Sequence, residues 1–397
     1  MTTLSVVIPA LNEESGIQEI IERVVAVRGA LVAAGVERLE VLVVDDGSTD
    51  QTPVIVARMD GIRLVRHPVN RGYGAALKTG FAQATGDLLG FLDADGTYPP
   101  EYFPQLCAQV LNGADLAVGS RMSGAASSMP FLRRVGNVFF ATLISVIGRQ
   151  RVNDSASGMR VFKRSVLERI LPLPDGLNLT PVMSTRAIHE GVSMVEVPIP
   201  YDERVGDSKL NVVRDGSIFL RSVVWTVMTY NPVRILGLLG LAGLALATLV
   251  GAGLVYARMM GVTELGPWGV AAVFGALVAA VTGISLFALG TTFNYLVSLF
   301  YRRPVRQGLF GRPIFPLPLD RHFGWMGLVC GLAGGVLGLI SVALGLQGWD
   351  VDRLWLYLLI SAMAILMGVQ LTTFWVLVRV LDELSQRAIV VEPDPVA

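Results

Sequence analysis

The sequence predicts an α/β domain with a mainly parallel sheet, followed by a helical membrane domain of four transmembrane helices. Three observations carry this. Short β-branched runs alternate with helical patterns before Arg234, charge is concentrated in that first part, and four long uncharged stretches follow it. A chain of 397 residues that is 52% hydrophobic, with a mean hydropathy of +0.57, is too apolar to be wholly soluble.

The elements follow in order. A strand is expected over residues 4–9, one helix over about 16–34, a strand over 40–44, a second helix, then strands over 62–66 and 88–92. In such sheets ligands gather beyond the carboxyl ends of the strands. Pro9-Ala10-Leu11-Asn12-Glu13, Asp45-Asp46-Gly47-Ser48 and Asp93-Ala94-Asp95 all fall there. Residues 135–147 form an apolar helix too short to span, placed either in the core or on a membrane surface. Residues 214–230 carry Arg214, Ser217 and Arg221 on one face and Ile218, Phe219, Val223, Trp225 and Met228 around the rest, which reads as an interfacial helix.

The four spans are expected at 235–255, within 268–300, at 323–346 and at 354–378, each at or above the roughly 20 residues a bilayer core requires. The loop after the second holds Arg302, Arg303, Arg306, Arg312 and Arg321, so it is expected on the cytoplasmic side, and with it the N-terminal domain and the C-terminus. The predicted divisions are 1–213, the interfacial helix 214–232, the membrane domain 233–382 and a disordered tail 383–397.

Composition excludes several classes. Lys+Arg and Asp+Glu are equal at 32 each, so no global field attracts nucleic acid. Cys107 and Cys330, the only two cysteines, suggest neither a disulfide framework nor a thiolate metal site, and point to a reducing compartment. The opening residues lack the basic and long apolar regions of a cleaved signal peptide.

The chemistry is expected in acidic strand ends. Asp93 and Asp95, one residue apart, can hold a hard cation and with it a nucleotide diphosphate. In Asp45-Asp46-Gly47-Ser48 the side chains either cap a turn or accept a bond from a base N–H or ribose hydroxyl, and different residues can do each. The glycine-rich run Asn70 to Lys78 is a loop-to-helix junction whose backbone amides and Lys78 could approach phosphate. Asn153-Asp154-Ser155-Ala156-Ser157-Gly158-Met159-Arg160 gathers an acid, hydroxyls and a cation. Arg204-Val205-Gly206-Asp207-Ser208-Lys209, shortly before the interfacial helix, suits a lipid phosphate.

Together, Val7-Ile8-Pro9-Ala10-Leu11-Asn12-Glu13-Glu14, Val44-Asp45-Asp46-Gly47-Ser48-Thr49-Asp50, Asn70-Arg71-Gly72, Gly86-Asp87 and Asp93-Ala94-Asp95-Gly96-Thr97-Tyr98-Pro99-Pro100-Glu101 resemble glycosyltransferase family 2. Gly119-Ser120-Arg121, Asp154-x-x-Ser157-Gly158 and Arg204-x-x-Gly206-x-Ser208-Lys209 narrow the resemblance to its polyprenyl-phosphate glycosyltransferases, including dolichol-phosphate mannose synthases. The motifs cover about residues 4–215; the remainder matches by architecture.

The resemblance implies a GT-A (Rossmann-like) fold and inverting transfer of a single sugar from a nucleotide-sugar, GDP-mannose or a UDP-hexose, to undecaprenyl or dolichyl phosphate at the cytoplasmic face of a prokaryotic plasma membrane. By the same resemblance Pro9, Leu11 and Glu13 border the nucleotide and Asp45 or Asp46 contacts its base or ribose. Asp93 and Asp95 serve the diphosphate and an Mg²⁺ or Mn²⁺ ion. Arg121 binds donor diphosphate or sugar, and Arg133, Asn137, Ser157, Arg204, Ser208 and Lys209 surround the acceptor phosphate. Asp95 and Asp154 are the expected catalytic acids, Asp154 for orientation more than as a base. Thr97 stands where many relatives have Gln and is a weaker metal ligand than Asp95. A processive polysaccharide synthase is the first alternative, but the chain has no Gln-x-x-Arg-Trp segment. A non-catalytic scaffold or flippase partner is the second, and the intact acidic motif argues against it.

Overall fold

The computed structural model describes residues 1–123, 129–148, 150–201, 212–262, 266–300 and 319–391. Two compact units divide the chain, Met1–Val227 and Met228–Ala397.

The first unit runs β1 (Thr3–Ala10), α1 (Ile17–Ala26), α2 (Arg28–Ala33), β2 (Arg38–Asp45), α3 (Thr52–Ala57), β3 (Ile62–Arg66), α4 (Tyr73–Gln83), β4 (Leu88–Phe91), α5 (Phe103–Leu111), β5 (Leu116–Ser120), α6 (Phe131–Gly148), β6 (Arg160–Lys163), α7 (Arg164–Ile170), α8 (Leu179–His189), β7 (Met194–Pro198) and α9 (Val212–Tyr230), the last reaching the unit boundary. The seven strands form one sheet in the order β3-β2-β1-β4-β6-β5-β7. All pairings are parallel except those of β6, which runs antiparallel to both β4 and β5.

Helices cover both faces of this sheet, which is why its central strands are apolar throughout rather than alternating. In β1 every residue after Thr3 is buried. One face packs Ile20, Val24, Leu31, Phe103 and Leu106 against Val6 and Ile8; the other packs Phe81, Phe162, Met183 and Leu179 against Val7, Leu42 and Leu89. This is the expected α/β architecture, with the expected acids at its strand ends. The single helix expected over 16–34 is two, broken where Val27 leaves helical geometry (φ −77°, ψ 0°), with Val27 and Leu31 both buried about the bend.

Unit two contains α10 (Pro232–Met259), α11 (Pro267–Phe300), α12 (Phe323–Leu346) and α13 (Val351–Val391). Each contains a stretch long and apolar enough to cross a membrane. They pack in pairs through glycines. A Cβ on Gly240 of α10 would lie 2.5 Å from the Gly283 carbonyl oxygen of α11, and one on Gly368 of α13 would lie 2.7 Å from that of Gly327 in α12. Such backbone contact is how helices associate where the hydrophobic effect gives no preference for helix over lipid. The tail expected from 383 begins as helix and continues to Val391, for the sequence offers no glycine or proline before Pro393.

The helix expected at 135–147 is longer, α6 at 18 residues, so by length and composition it is a fifth helix able to cross a membrane. Its packing is that of the first unit: Asn137, Ala141 and Ile144 are buried, and α6 lies against α8. Arg302, Arg303, Arg306 and Arg312 of the basic loop lie outside the described residues, as do Arg204, Ser208 and Lys209.

Candidate active site

A cavity of about 410 Å³ opens at the carboxyl ends of β1, β2 and β4, entirely within the first unit. Pro9, Ala10, Leu11 and Glu13 leave β1 along one wall, Asp46 and Asn70 adjoin them, and Asp93, Ala94 and Asp95 follow β4. Arg121 comes from the end of β5, while Arg133, Gly136, Asn137 and Phe140 of α6 and Asp215, Gly216 and Phe219 of α9 close the other side.

The β1 and β2 loops are stitched into one wall. Asn12 adopts a left-handed conformation (φ 51°), which short polar side chains tolerate. There its N–H donates to Ser48 Oγ at 2.9 Å, and its Oδ1 accepts the Thr49 N–H at 2.8 Å. Glu13 N–H donates to Thr52 Oγ1 at 2.9 Å. The two adjacent acids then separate in role. Asp45 is fully buried, accepts the Ser48 N–H at 3.0 Å, pairs with Arg66 at 2.9 Å and does not line the cavity. Asp46 does line it, and its carboxylate takes the Arg71 and Gly72 N–H groups at 2.9 and 2.8 Å and His67 Nδ1 at 2.7 Å.

The glycine-rich run is not a phosphate cradle. At Gly72 (φ 104°) a Cβ would sit 2.5 Å from the Asp175 carbonyl oxygen, and at Gly74 one would sit 2.2 Å from that of Pro174. The glycines let the 174–176 loop approach backbone to backbone. Lys78 faces the same way: its Nζ bonds Leu173 O at 2.8 Å and pairs with Asp175 at 2.7 Å, away from the cavity. The expectation that Lys78 meets donor phosphate is therefore corrected. Lys78→Ala should leave the donor KM within about twofold of wild type and cost at most about 1 kcal/mol of stability, since the pair is partly exposed. Donor titration and thermal melting check both.

Asp93 and Asp95 stand on one wall, differently restrained. Asp93 Oδ1 accepts the Tyr73 hydroxyl at 2.7 Å. Burial, then the Asp93 charge, holds that phenol well above its ordinary value, so it remains a donor. Gly158 passes so close that a Cβ would lie 2.3 Å from Asp93 Oδ2. Asp95 Oδ1 accepts Thr97 Oγ1 at 2.6 Å and Thr97 N–H at 3.2 Å. Thr97 is fully buried and absent from the cavity wall, so it orients Asp95 and does not itself face a ligand. Among the described residues no group of three or more His, Cys, Asp or Glu could hold a metal.

Arg121 is the most constrained side chain of the wall. Its Nε and Nη2 meet the two oxygens of Asp154, each at 2.7 Å, and its own N–H donates to Asp154 Oδ2 at 3.0 Å. The rings of Tyr98 and Tyr201 lie 5.6 and 5.2 Å from its guanidinium carbon, in cation–π contact. Burial alone would raise the Asp154 carboxyl, but the Arg121 charge and its hydrogen bonds hold it below the ordinary range. Asp154 is thus a buried anion behind Arg121 and absent from the cavity wall. Glu196 steadies this loop by accepting the Asn153 and Asp154 N–H groups at 2.7 and 3.1 Å. Arg160 lies fully buried nearby, donating to the Ser155 and Ser157 carbonyls at 2.8 and 3.1 Å; burial lowers its guanidinium to about 10.

Of the residues assigned to acceptor phosphate, Arg133 and Asn137 reach the cavity. Ser157 does not: it is fully buried and donates to Gly119 O at 2.6 Å, pinning the loop to β5. The sequence reading missed Asn70, Tyr73, Tyr98, Tyr201, Phe140 and Asp215 on the wall. Asn70, Tyr73 and Tyr98 had a local signal, each within a motif already singled out; the other three had none.

Comparison with known proteins follows the same division. Residues 5–171 match the model of glycosyl transferase family 2, and residues 232–392 match a domain of unknown function (DUF8752). The chain is 33% identical over 221 residues to the dolichyl-phosphate hexose transferase of Haloferax volcanii, covering 56% of this chain and 92% of that protein. It is 29% identical over 317 residues to the undecaprenyl-phosphate 4-deoxy-4-formamido-L-arabinose transferase of Photorhabdus laumondii, covering 78% and 88%. A crystal structure of glucosyl-3-phosphoglycerate synthase from Mycobacterium tuberculosis, in complex with Mn²⁺, UDP and phosphoglyceric acid, aligns with a TM-score of 0.45 at 24% identity over 58% of this chain and 78% of that one.

Proposed function

This chain belongs to glycosyl transferase family 2, and on that premise we propose that it transfers a single sugar, with inversion, from a nucleotide-sugar to a polyprenyl phosphate, yielding a lipid-linked monosaccharide. One observation carries the reading. A single cavity joins the strand-end acids Asp46, Asp93 and Asp95 to the cations Arg121 and Arg133, and its far side is built from two helices with exposed apolar residues. On α6 these include Phe131, Val135, Val138 and Phe139, and on α9 Ile218, Leu220 and Trp225. A ring contact of 5.8 Å between Phe140 and Phe219 joins the two helices. An anionic headgroup on an apolar chain suits that side. The acceptors named for the Haloferax and Photorhabdus relatives, dolichyl and undecaprenyl phosphate, support the same class.

The donor lies along Pro9, Leu11, Glu13 and Asp46, with its diphosphate towards Asp93, Asp95 and Arg121. Asp93 and Asp95, two hard oxygen donors on one wall of the cavity, would hold Mg²⁺ or Mn²⁺. Such an ion, when bound, neutralises charge on the departing diphosphate. Arg133 and Asn137 hold the acceptor phosphate; Arg204, Ser208 and Lys209, which the resemblance also assigns to it, lie outside the described residues. One of the phosphate oxygens displaces the nucleoside diphosphate from the opposite face of the anomeric carbon, and the electrons of the breaking C–O bond leave with the diphosphate. A phosphate monoester, with a second pKa of about 6, is already anionic at neutral pH and needs no strong base. Asp154 therefore acts through Arg121, holding it against the donor.

The four long apolar helices of the second unit make this a membrane protein, and the arginines between residues 302 and 321 favour a cytoplasmic catalytic unit. The test is incubation of the purified full chain with labelled nucleotide-sugars and undecaprenyl or dolichyl phosphate. A labelled lipid of one sugar is expected. A polymer would make the chain a processive synthase, and no product from any donor would leave the fold without this activity.

A further inference from the structure

The donor reading leaves the base open, and the hydrogen bonds of Asp46 narrow it. Asp46 lines the cavity beside Leu11 and Asn70 although its residue is only 3% exposed. A carboxylate accepts only, with about two positions on each oxygen. Its Oδ1 already receives two donors, His67 Nδ1–H at 2.7 Å and Arg71 N–H at 2.9 Å, and Oδ2 receives one, Gly72 N–H at 2.8 Å. His67 cannot swing away to free Oδ1. It is 4% exposed, and its Nε2 is held by Thr79 Oγ1 at 2.9 Å. Because a carboxylate only accepts, Nδ1 carries the hydrogen of the bond to Asp46, and the contact of Nε2 with the Thr79 hydroxyl fixes the orientation of the ring.

We propose that Asp46, with Oδ1 committed to His67 and Arg71 and one position left on Oδ2, selects a donor whose base presents a single imide N–H, uracil or thymine, over guanine. The inference rests on the nucleotide-sugar reading of the cavity. Guanine carries adjacent N1–H and N2–H donors that pair with both oxygens of a carboxylate, and here the second would meet an occupied oxygen. In adenine and cytosine a ring-nitrogen acceptor adjoins the amino group and would face the carboxylate lone pairs. An unpaired donor in a buried site lowers affinity by about tenfold or more. His67 is then a positioning residue, acting on the base through Asp46.

The test is calorimetric titration of the purified full chain, with Mg²⁺ present, by UDP, dTDP, GDP, ADP and CDP. UDP and dTDP are expected to bind at least about tenfold more tightly than GDP, ADP or CDP. His67→Ala, which releases Oδ1, is expected to shrink the UDP-to-GDP ratio; a general loss of fold would lower both affinities and leave the ratio unchanged. The wild-type ratio decides the matter even if that variant does not fold. GDP binding as tightly as UDP or more so would overturn the inference and leave the transferase reading standing. Failure of all five to bind would remove both.

Discussion

Asp95→Ala is expected to fold as the wild type does and to transfer sugar about a thousandfold more slowly. Asp95 lies on the cavity wall, where its Oδ1 accepts the Thr97 hydroxyl. On the proposed donor placement its loss removes one of two carboxylates serving the diphosphate, and with it transition-state charge stabilisation of about 4 kcal/mol, a fall in kcat of about a thousandfold. Raising Mg²⁺ or Mn²⁺ should not restore the rate. Thr97→Val separates orientation from ligation. The valine keeps the buried shape but not the hydroxyl bond to Oδ1, so a loss of about tenfold, with metal affinity little changed, is expected. Initial rates across a metal titration measure both variants; near-wild-type turnover by Asp95→Ala would remove this acid from the chemistry.

Asp154→Ala is expected to be the most destabilising change at the site. It leaves the Arg121 guanidinium buried between Tyr98 and Tyr201 without its counter-ion, and breaking a buried pair from one side costs about 3–5 kcal/mol. Asp154→Asn preserves the shape, so its deficit can be followed with pH. The folded-state value of Asp154 is depressed, so its stabilisation is complete above the unfolded value of about 3.9 and is lost as pH falls through the lower folded value. The gap between wild type and Asp154→Asn should stay constant from pH 7 to about 5 and close only below about 4. Turnover gives a separate reading. With Asp154 absent from the cavity wall, the ratio of variant to wild-type rate should be flat from pH 6 to 8, whereas a ratio that approached one as pH rose would return Asp154 to the role of base.

What was legible in the sequence was whatever leaves a local signature. Apolar runs ending in Pro9, Asp45 and Asp93 reveal strands buried on both faces and the acids at their ends, and the apolar stretches after Arg234 reveal the helices of the second unit. What escaped depends on partners distant in sequence. Lys78 sits in a glycine-rich, phosphate-like context, and only the fold brings Asp175 to it. Asp154 and Ser157 belong to a motif with the right residue types, yet Arg121 and the Gly119 carbonyl claim them. His67 lies outside every motif and matters only because β3 returns beside β2, bringing its ring to Asp46. Tyr201 and Asp215 likewise reach the wall through the chain's later passage, and β6 runs against the parallel pattern with nothing in its four residues to announce it.

The claim on which the rest depends is that the acceptor is a lipid phosphate. The measurement that tests it most directly compares undecaprenyl phosphate with undecaprenol as acceptors for the purified full chain, with the same labelled donor and mass analysis of the extracted lipid. The account predicts a single sugar on the phosphate-bearing lipid and none on the alcohol. Equal transfer to both, or a sugar chain built without either, would contradict it.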